Sequence, residues 1–180
     1  VRSGIAAQEA RCKLGNSQTG ENIMQKISNF LWFDKEAAEA ARFYTSVFKD
    51  SRIVDSTTLE NTPSGTVEIV TIELLGQTFQ LMSAGPLFKF NEAISFMVNC
   101  DTQEEIDYYW EKLSAVPEAE ACGWLKDKFG VSWQIAPTIM FEMQKDKDKK
   151  KLARLTEAFL KMKKFDIATL RQAYDGKTTS

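Results

Sequence analysis

The chain has 180 residues, 43% of them hydrophobic and 27% charged, with a formal net charge of −2. That is globular composition at about one domain's length. The near-neutral charge supplies no field toward nucleic acid or an anionic membrane, and no apolar run reaches the roughly 20 residues needed to span a bilayer. Histidine is absent. This excludes Ser-His-Asp and Cys-His nucleophile systems and any His-ligated zinc, leaving acid–base chemistry to carboxylates, Lys, Tyr or Cys.

Residues 1–23 are rich in Gly, Ser, Asn and Gln, and their charges (Arg2, Glu9, Arg11, Lys13) leave no apolar core for a secretory signal. They read as an N-terminal extension, disordered or foreign to the native chain, with Met24 as the natural start or the domain edge. Runs enriched in β-branched and aromatic residues predict strands at Ile27–Phe33, Arg52–Leu59, Thr66–Leu75, Thr78–Met82, Ala93–Asn99 and Val131–Ala136, with a short one near Gly123–Lys126. Helices are predicted at Lys35–Phe48, where Ala37, Ala40, Ala41, Tyr44, Val47 and Phe48 recur at helical spacing, and at Thr102–Leu113. Asp34 and Asp101 stand where N-caps belong.

The remainder, 138–180, reads as a helical extension. Leu152, Leu155, Phe159 and Met162 form one apolar stripe, and Ile167, Leu170 and Tyr174 form another behind an Asp166 cap. These stripes are expected on the protein's own sheet or across a dimer, the alternative being a docking face for another protein. The Lys145–Lys151 run is broken by Asp146 and Asp148 and has no interleaved aromatics, so it reads as a solvated helix entry. Cys12, Cys100 and Cys122 have no metal-binding spacing and are odd in number, which suits reduced thiols in a cytoplasmic protein. Without a flanking imidazolium, Cys122 is expected to stay a thiol.

The organisation repeats. Ile27-Ser28 and Ile94-Ser95 each open a strand, and Asp34 and Asp101 each open a helix. Gly76-Gln77-Thr78-Phe79-Gln80-Leu81 then matches Gly130-Val131-Ser132-Trp133-Gln134-Ile135. The expected class is α+β: two β-α-β-β-β modules forming a cupped mixed sheet over 24–137, helices on one side. The longer hairpin falls in the first unit, at Asn61–Gly65.

Several segments carry a family resemblance: Leu31-Trp32-Phe33-Asp34, Phe43-Tyr44, Gly85-Pro86 with Phe88-Lys89-Phe90-Asn91-Glu92-Ala93, Cys122-Gly123-Trp124-Leu125-Lys126-Asp127-Lys128-Phe129-Gly130, Ser132-Trp133-Gln134, and Leu160-Lys161-Met162-Lys163-Lys164. Over about residues 24–170 the chain resembles the PhnB-like branch of the vicinal-oxygen-chelate (glyoxalase/bleomycin-resistance) superfamily. The resemblance implies a glyoxalase-like fold, each unit half of a U-shaped cup, and frequent homodimers. It also implies metal ligands, His or Glu, on the first and last strands of each unit. The matching last-strand positions hold Gln80 and Gln134.

Side chains alternate across a strand. Phe79, Leu81, Trp133 and Ile135 should therefore pack under the helices, while Thr78, Gln80, Met82, Ser132, Gln134 and Ala136 line the cup. Ser28, Phe30 and Trp32 should match Ser95, Met97 and Asn99 on the opening strands, and Asn91, Trp124 and Lys126 should rim or line the cup. A dication there would meet amides, hydroxyls, a thioether and rings instead of the charged oxygens, imidazoles or thiolates it needs. The expectation is no metal and no cofactor, the open route being a misplaced carboxylate such as Glu68, Glu73 or Glu92. Candidate small-molecule-binding residues are Phe30, Trp32, Gln80, Met82, Asn91, Met97, Trp124, Lys126 and Gln134. Lys126 meets an anionic ligand or pairs with Asp127 or another acid. The two glutamines hold a ligand or bond each other. The leading expectation is metal-independent binding of a small organic molecule by a homodimer. The alternative is an enzyme: a metal-assisted isomerase, lyase or dioxygenase, or the demethylubiquinone methyltransferase for which relatives are named. No cofactor loop of Gly-x-Gly-x-x-Gly type follows any strand to support the last.

Overall fold

A computed structural model describes residues 25–177; the segment read as an extension lies outside the described residues. The class is α+β as expected. The first unit runs β1 (Asn29–Phe33), α1 (Ala37–Val47), β2 (Ser51–Thr62), β3 (Gly65–Leu74) and β4 (Gln77–Ser83), in a sheet of order β1-β4-β3-β2. The second runs β5 (Phe96–Cys100), α2 (Gln103–Leu113), β6 (Trp124–Lys126) and β7 (Ser132–Pro137), in a sheet of order β5-β7-β6. In both units the opening strand lies parallel to the last. Phe30 stands opposite Gln80 and Met97 opposite Gln134, so the sequence repeat is a repeat of register.

Two features of the sheets differ from expectation. The second unit is one strand short: a 3-10 turn at Pro117–Ala119 and a single bridge, Ala121 to Trp124, stand where the first unit has its long β2. Pro117 has no N–H to give a ladder. The two sheets also do not merge into one. The units are joined by rings instead: Phe79 against Phe96 at 5.0 Å, Tyr44 against Trp133 at 5.5 Å, and Phe48 stacked on Trp133 at 5.3 Å.

The alternation expected for the last strands holds on β4 but not on β7. Ser132 and Ala136, expected in the cup, are buried, and the helices that follow β7 cover Ala136. Phe79, Leu81, Trp133 and Ile135 are buried with Leu31, Phe33, Tyr44 and Phe48 in one core shared by both units. Each large side chain removed from water there contributes about 1.5–3 kcal/mol. Asp127 lies within this apolar region at 1% exposure. Its carboxylate accepts from Phe129 N (2.9 Å), Val131 N (3.0 Å), Trp133 Nε1 (2.8 Å) and Tyr44 Oη (2.7 Å), so every bonding direction of a buried acceptor is used.

Neither expected aspartate caps its helix. Helix α1 begins later than predicted, and Ala37 N donates to Ser83 Oγ at 3.0 Å. At α2 the cap moves one residue to Thr102, whose hydroxyl accepts from Glu105 N, while Glu105 reaches back to Asp101 N. This Thr-x-x-Glu arrangement satisfies donors at both ends and wins over a lone aspartate; Asp101 accepts from Thr138 Oγ1 instead.

Helices α3 (Thr138–Gln144), α4 (Lys149–Phe159) and α5 (Ile167–Asp175) follow β7 directly. Asp166 caps α5 as expected, through Thr169 N, and Asp148 caps α4. Their apolar stripes build a second core of Met140, Met143, Leu155, Phe165 and Leu170 on Ala136 of β7. Two backbone bonds fasten the α4–α5 link to the second unit: Cys122 N to Met162 O and Gly123 N to Lys163 O, both 2.8 Å. No helix among the described residues is long and apolar enough to cross a membrane.

Candidate functional site

Gln80 and Gln134 do not bond each other. Gln80 Nε2 donates to Ser28 Oγ at 3.3 Å, and Gln134 Nε2 donates to Ser95 Oγ at 2.8 Å. Each unit therefore ties its last-strand glutamine to the serine that leads into its own opening strand. Both pairs are neutral. Among the described residues no group of three or more His, Cys, Asp and Glu is placed to hold a metal ion. Two of the carboxylates considered from the sequence are already engaged: Glu73 with Arg52 at 2.7 Å, and Glu92 with Lys126.

The most elaborated concavity lies where β1 meets the loop between the two units. Trp32 Nε1 donates to Gly85 O at 2.8 Å, and the Trp32 ring meets Phe88 edge-on at 5.0 Å. Phe90 of the same loop packs on Phe33 at 5.1 Å. Gly85 turns the chain into this loop at φ +88°, a conformation that favours glycine. At the far end Asn91 Oδ1 accepts from Ala93 N, and the Glu92–Lys126 ion pair ties the loop to β6. That hydrogen bond from Lys126 holds the Glu92 carboxyl below the usual carboxylate range. Lys126 thus pairs with Glu92 and not with the buried Asp127.

Two clefts flank the loop and share Trp32, Phe88, Lys89 and Phe90. One, of about 460 Å³, adds Phe30, Asn91, Phe96 and Ser132 among its walls. The other, of about 340 Å³, is more polar, with Asp34, Glu36 and Lys126. A third, of about 590 Å³, lies on the seam between the units and includes Met97, Phe79, Tyr109 and Trp133. The residues singled out from sequence are thereby dispersed: Phe30, Trp32 and Asn91 in the first cleft, Trp32 and Lys126 in the second, Met97 in the third. Gln80, Met82, Trp124 and Gln134 line none of these three. The wall formed by Phe88 and Phe90 was legible only as a motif; no local periodicity shows that a loop folds back on Trp32.

A strand–helix–antiparallel-strand unit occurring twice, with the opening strand parallel to the last, defines a protein of the vicinal-oxygen-chelate, or glyoxalase, class. The family model of 3-demethylubiquinone-9 3-methyltransferase matches residues 25–136, and the chain belongs to this PhnB-like family. It is similar to the PhnB protein of Bacillus cereus, a 3-demethylubiquinone-9 3-methyltransferase by name, at 36% identity over 63% of this chain and 100% of that one, TM-score 0.53. The fosfomycin resistance protein FosX of Listeria monocytogenes shares the fold at 16% identity, over 69% of this chain and 99% of that one, TM-score 0.51. A comparison with curated proteins gives no match.

Proposed function

We propose that the chain binds a small organic molecule without a metal ion, as a homodimer. The observation that carries this reading is the repeated amide–hydroxyl pair, Gln80 with Ser28 and Gln134 with Ser95. At these positions a dication would lose its water for uncharged oxygens, a cost of many kcal/mol that a neutral ligand avoids. The aromatic clefts beside Trp32 supply apolar walls with few polar groups, the usual make-up of a small-molecule site.

Homodimerisation is supported by the surface. Ile27, Phe30, Leu87, Phe88, Ile94 and Met97 are all exposed large hydrophobic residues. Four of them lie on or just before the two opening strands, and two lie on the connecting loop. A concentration of this kind marks an interface. A second copy seated there would bring a further cup face over the open glutamines. Cys100 and Cys122 are free thiols, which supports a cytoplasmic location. The methyltransferase name of the Bacillus relative is not carried over, since the turns after the strands here have no glycine-rich cofactor loop.

The test is a thermal-shift screen of a metabolite library with and without a chelator, alongside elemental analysis of the purified protein. A binder must raise the melting temperature, because it stabilises the native state by mass action. The expected result is a shift with an organic compound that the chelator does not alter. Stoichiometric Mn, Fe, Ni or Zn, together with a shift produced by that metal alone, would establish a metal enzyme instead. Light scattering should give twice the 20.4 kDa chain mass.

A further inference from the structure

We propose that the cleft on the seam between the two units is a second binding site, separate from the cup, for an organic ammonium ion with an aromatic body. Glu105 holds the charge and Leu75 covers the apolar body.

The cleft measures about 590 Å³, within the range of small-molecule sites. Phe79 and Trp133, in its walls, stand on the strand faces opposite Gln80 and Gln134. A ligand here would therefore not meet the glutamines. Phe96 and Tyr109 are only partly buried, so their rings keep surface for a ligand. Met97 is the wall residue that also belongs to the apolar surface assigned above to a second copy; Leu75, Glu105 and Tyr109 do not.

Charge selects the class. Glu105 is the one charged side chain that lines this cleft among the described residues, the other polar walls being amides and the Tyr109 phenol. It precedes Tyr109 by four residues and so shares its face of α2. Its Oε2 accepts from Asp101 N at 2.7 Å, while Oε1 accepts no hydrogen bond among the described residues. None of the ion pairs among these residues includes Glu105. An ammonium group can donate to Oε1 and lie against the Tyr109 ring. An anion would meet repulsion with no cation in the walls to offset it.

Leu75 marks the same place independently. Leu74 pairs with Gln77, so β3 and β4 are joined by the two-residue turn Leu75-Gly76. Both turn residues have positive φ, +49° and +79°. Such a turn favours Asn-Gly, and a leucine is strained in it. Burial would ordinarily offset that strain, yet Leu75 is 51% exposed. Its apolar surface forms a wall of the cleft, where a ligand's body would remove it from water.

The experiment titrates the full chain by calorimetry with tryptamine, tryptophol and indole-3-propionate: one ring system carrying a cation, a neutral hydroxyl and an anion. The wild type should bind tryptamine about fivefold tighter than tryptophol, the effect of one solvent-accessible charge pair, and indole-3-propionate most weakly. Glu105→Gln should bring tryptamine down to the tryptophol level and leave tryptophol unchanged. Glutamine still accepts from Asp101 N, so the melting temperature should move by no more than about 2 °C. Leu75→Asn should weaken tryptamine and tryptophol alike, by about threefold, while the melting temperature holds or rises. A tryptamine preference that survives in Glu105→Gln overturns the role of the carboxylate. Tightest binding of indole-3-propionate overturns the cationic class. Unchanged affinities in Leu75→Asn, or a lowered melting temperature, overturn the part given to Leu75. Binding of none of the three overturns the site.

Discussion

Tyr44 Oη donates a 2.7 Å hydrogen bond to Asp127 Oδ2, joining the helix of the first unit to the turn that leads into the last strand of the second. Trp133 Nε1 reaches the same oxygen from β7 at 2.8 Å. Burial pushes the Asp127 carboxyl up from its ordinary range, and the four donors only partly offset this. Burial, with the neighbouring Asp127, also pushes the Tyr44 hydroxyl well above its usual value, so it serves here as a donor.

Asp127→Ala and Tyr44→Phe should therefore differ sharply. The first strands four donors in a closed core and should cost about 3–5 kcal/mol. The second removes one donor and leaves three, and should cost about 1–2 kcal/mol. Urea denaturation with intrinsic tryptophan fluorescence measures both. Equal losses would show that the Tyr44 bond carries the whole network.

Gly123→Ala should be far more damaging than Gly76→Ala. Both positions have positive φ, +82° and +79°, so each carries a backbone penalty of about 1–2 kcal/mol. At Gly76 an added Cβ would meet nothing within 4 Å, whereas at Gly123 it would lie 2.4 Å from Phe165 Cε2 and 2.9 Å from the Ile135 carbonyl oxygen. The added crowding should bring the Gly123 loss to about 3–5 kcal/mol. It should also release the α4–α5 link, read as faster proteolysis between α4 and α5 in Gly123→Ala but not in Gly76→Ala.

The C-terminal helices should loosen in acid. The Asp146 carboxyl is held down at about 2, chiefly by the hydrogen bond from Tyr174, then by Asp148 N. A carboxyl depressed in the folded state contributes stability that is present above its unfolded value and is lost as pH falls through the folded one. Carbon-13 NMR of the Asp146 carboxyl should show a midpoint near that value in the wild type and a higher midpoint in Tyr174→Phe. The packing of α5 should weaken as pH falls from about 4 toward about 2. An unchanged midpoint in Tyr174→Phe would remove the tyrosine as the cause.

Ile94→Lys should favour the monomer without unfolding it. Ile94 is 75% exposed in the single chain, so a charge there should change chain stability by no more than about 0.5 kcal/mol. Across an apolar interface the same charge would be desolvated. Light scattering should show the mass of one chain for the variant at concentrations where the wild type has twice that mass; an unaltered mass would place the dimer contact elsewhere.

What the residues revealed unaided was the part of the structure that depends on neighbours in the chain. Period-two alternation identified Phe79, Leu81, Trp133 and Ile135 as core, and the Gly-x-Thr/Ser-aromatic-Gln repeat marked equivalent strands, because side-chain direction along a strand follows from backbone geometry alone. Asp166 was identifiable as a cap, since its acceptor serves an N–H three residues on. The absence of histidine constrained the chemistry before any fold was known.

Everything that joins distant segments was decided by the tertiary structure. Gln80 finds Ser28 across 52 residues, Ala37 N finds Ser83 across 46 and so needs no Asp34, and Trp32 finds the Gly85 carbonyl across 53. The two glutamines that look paired in the repeat stand on separate sheets, and the Phe88–Asn91 loop that walls the cleft has no periodicity to announce it. Such contacts are chosen by which faces meet when the core closes, and spacing along the chain carries no record of that choice.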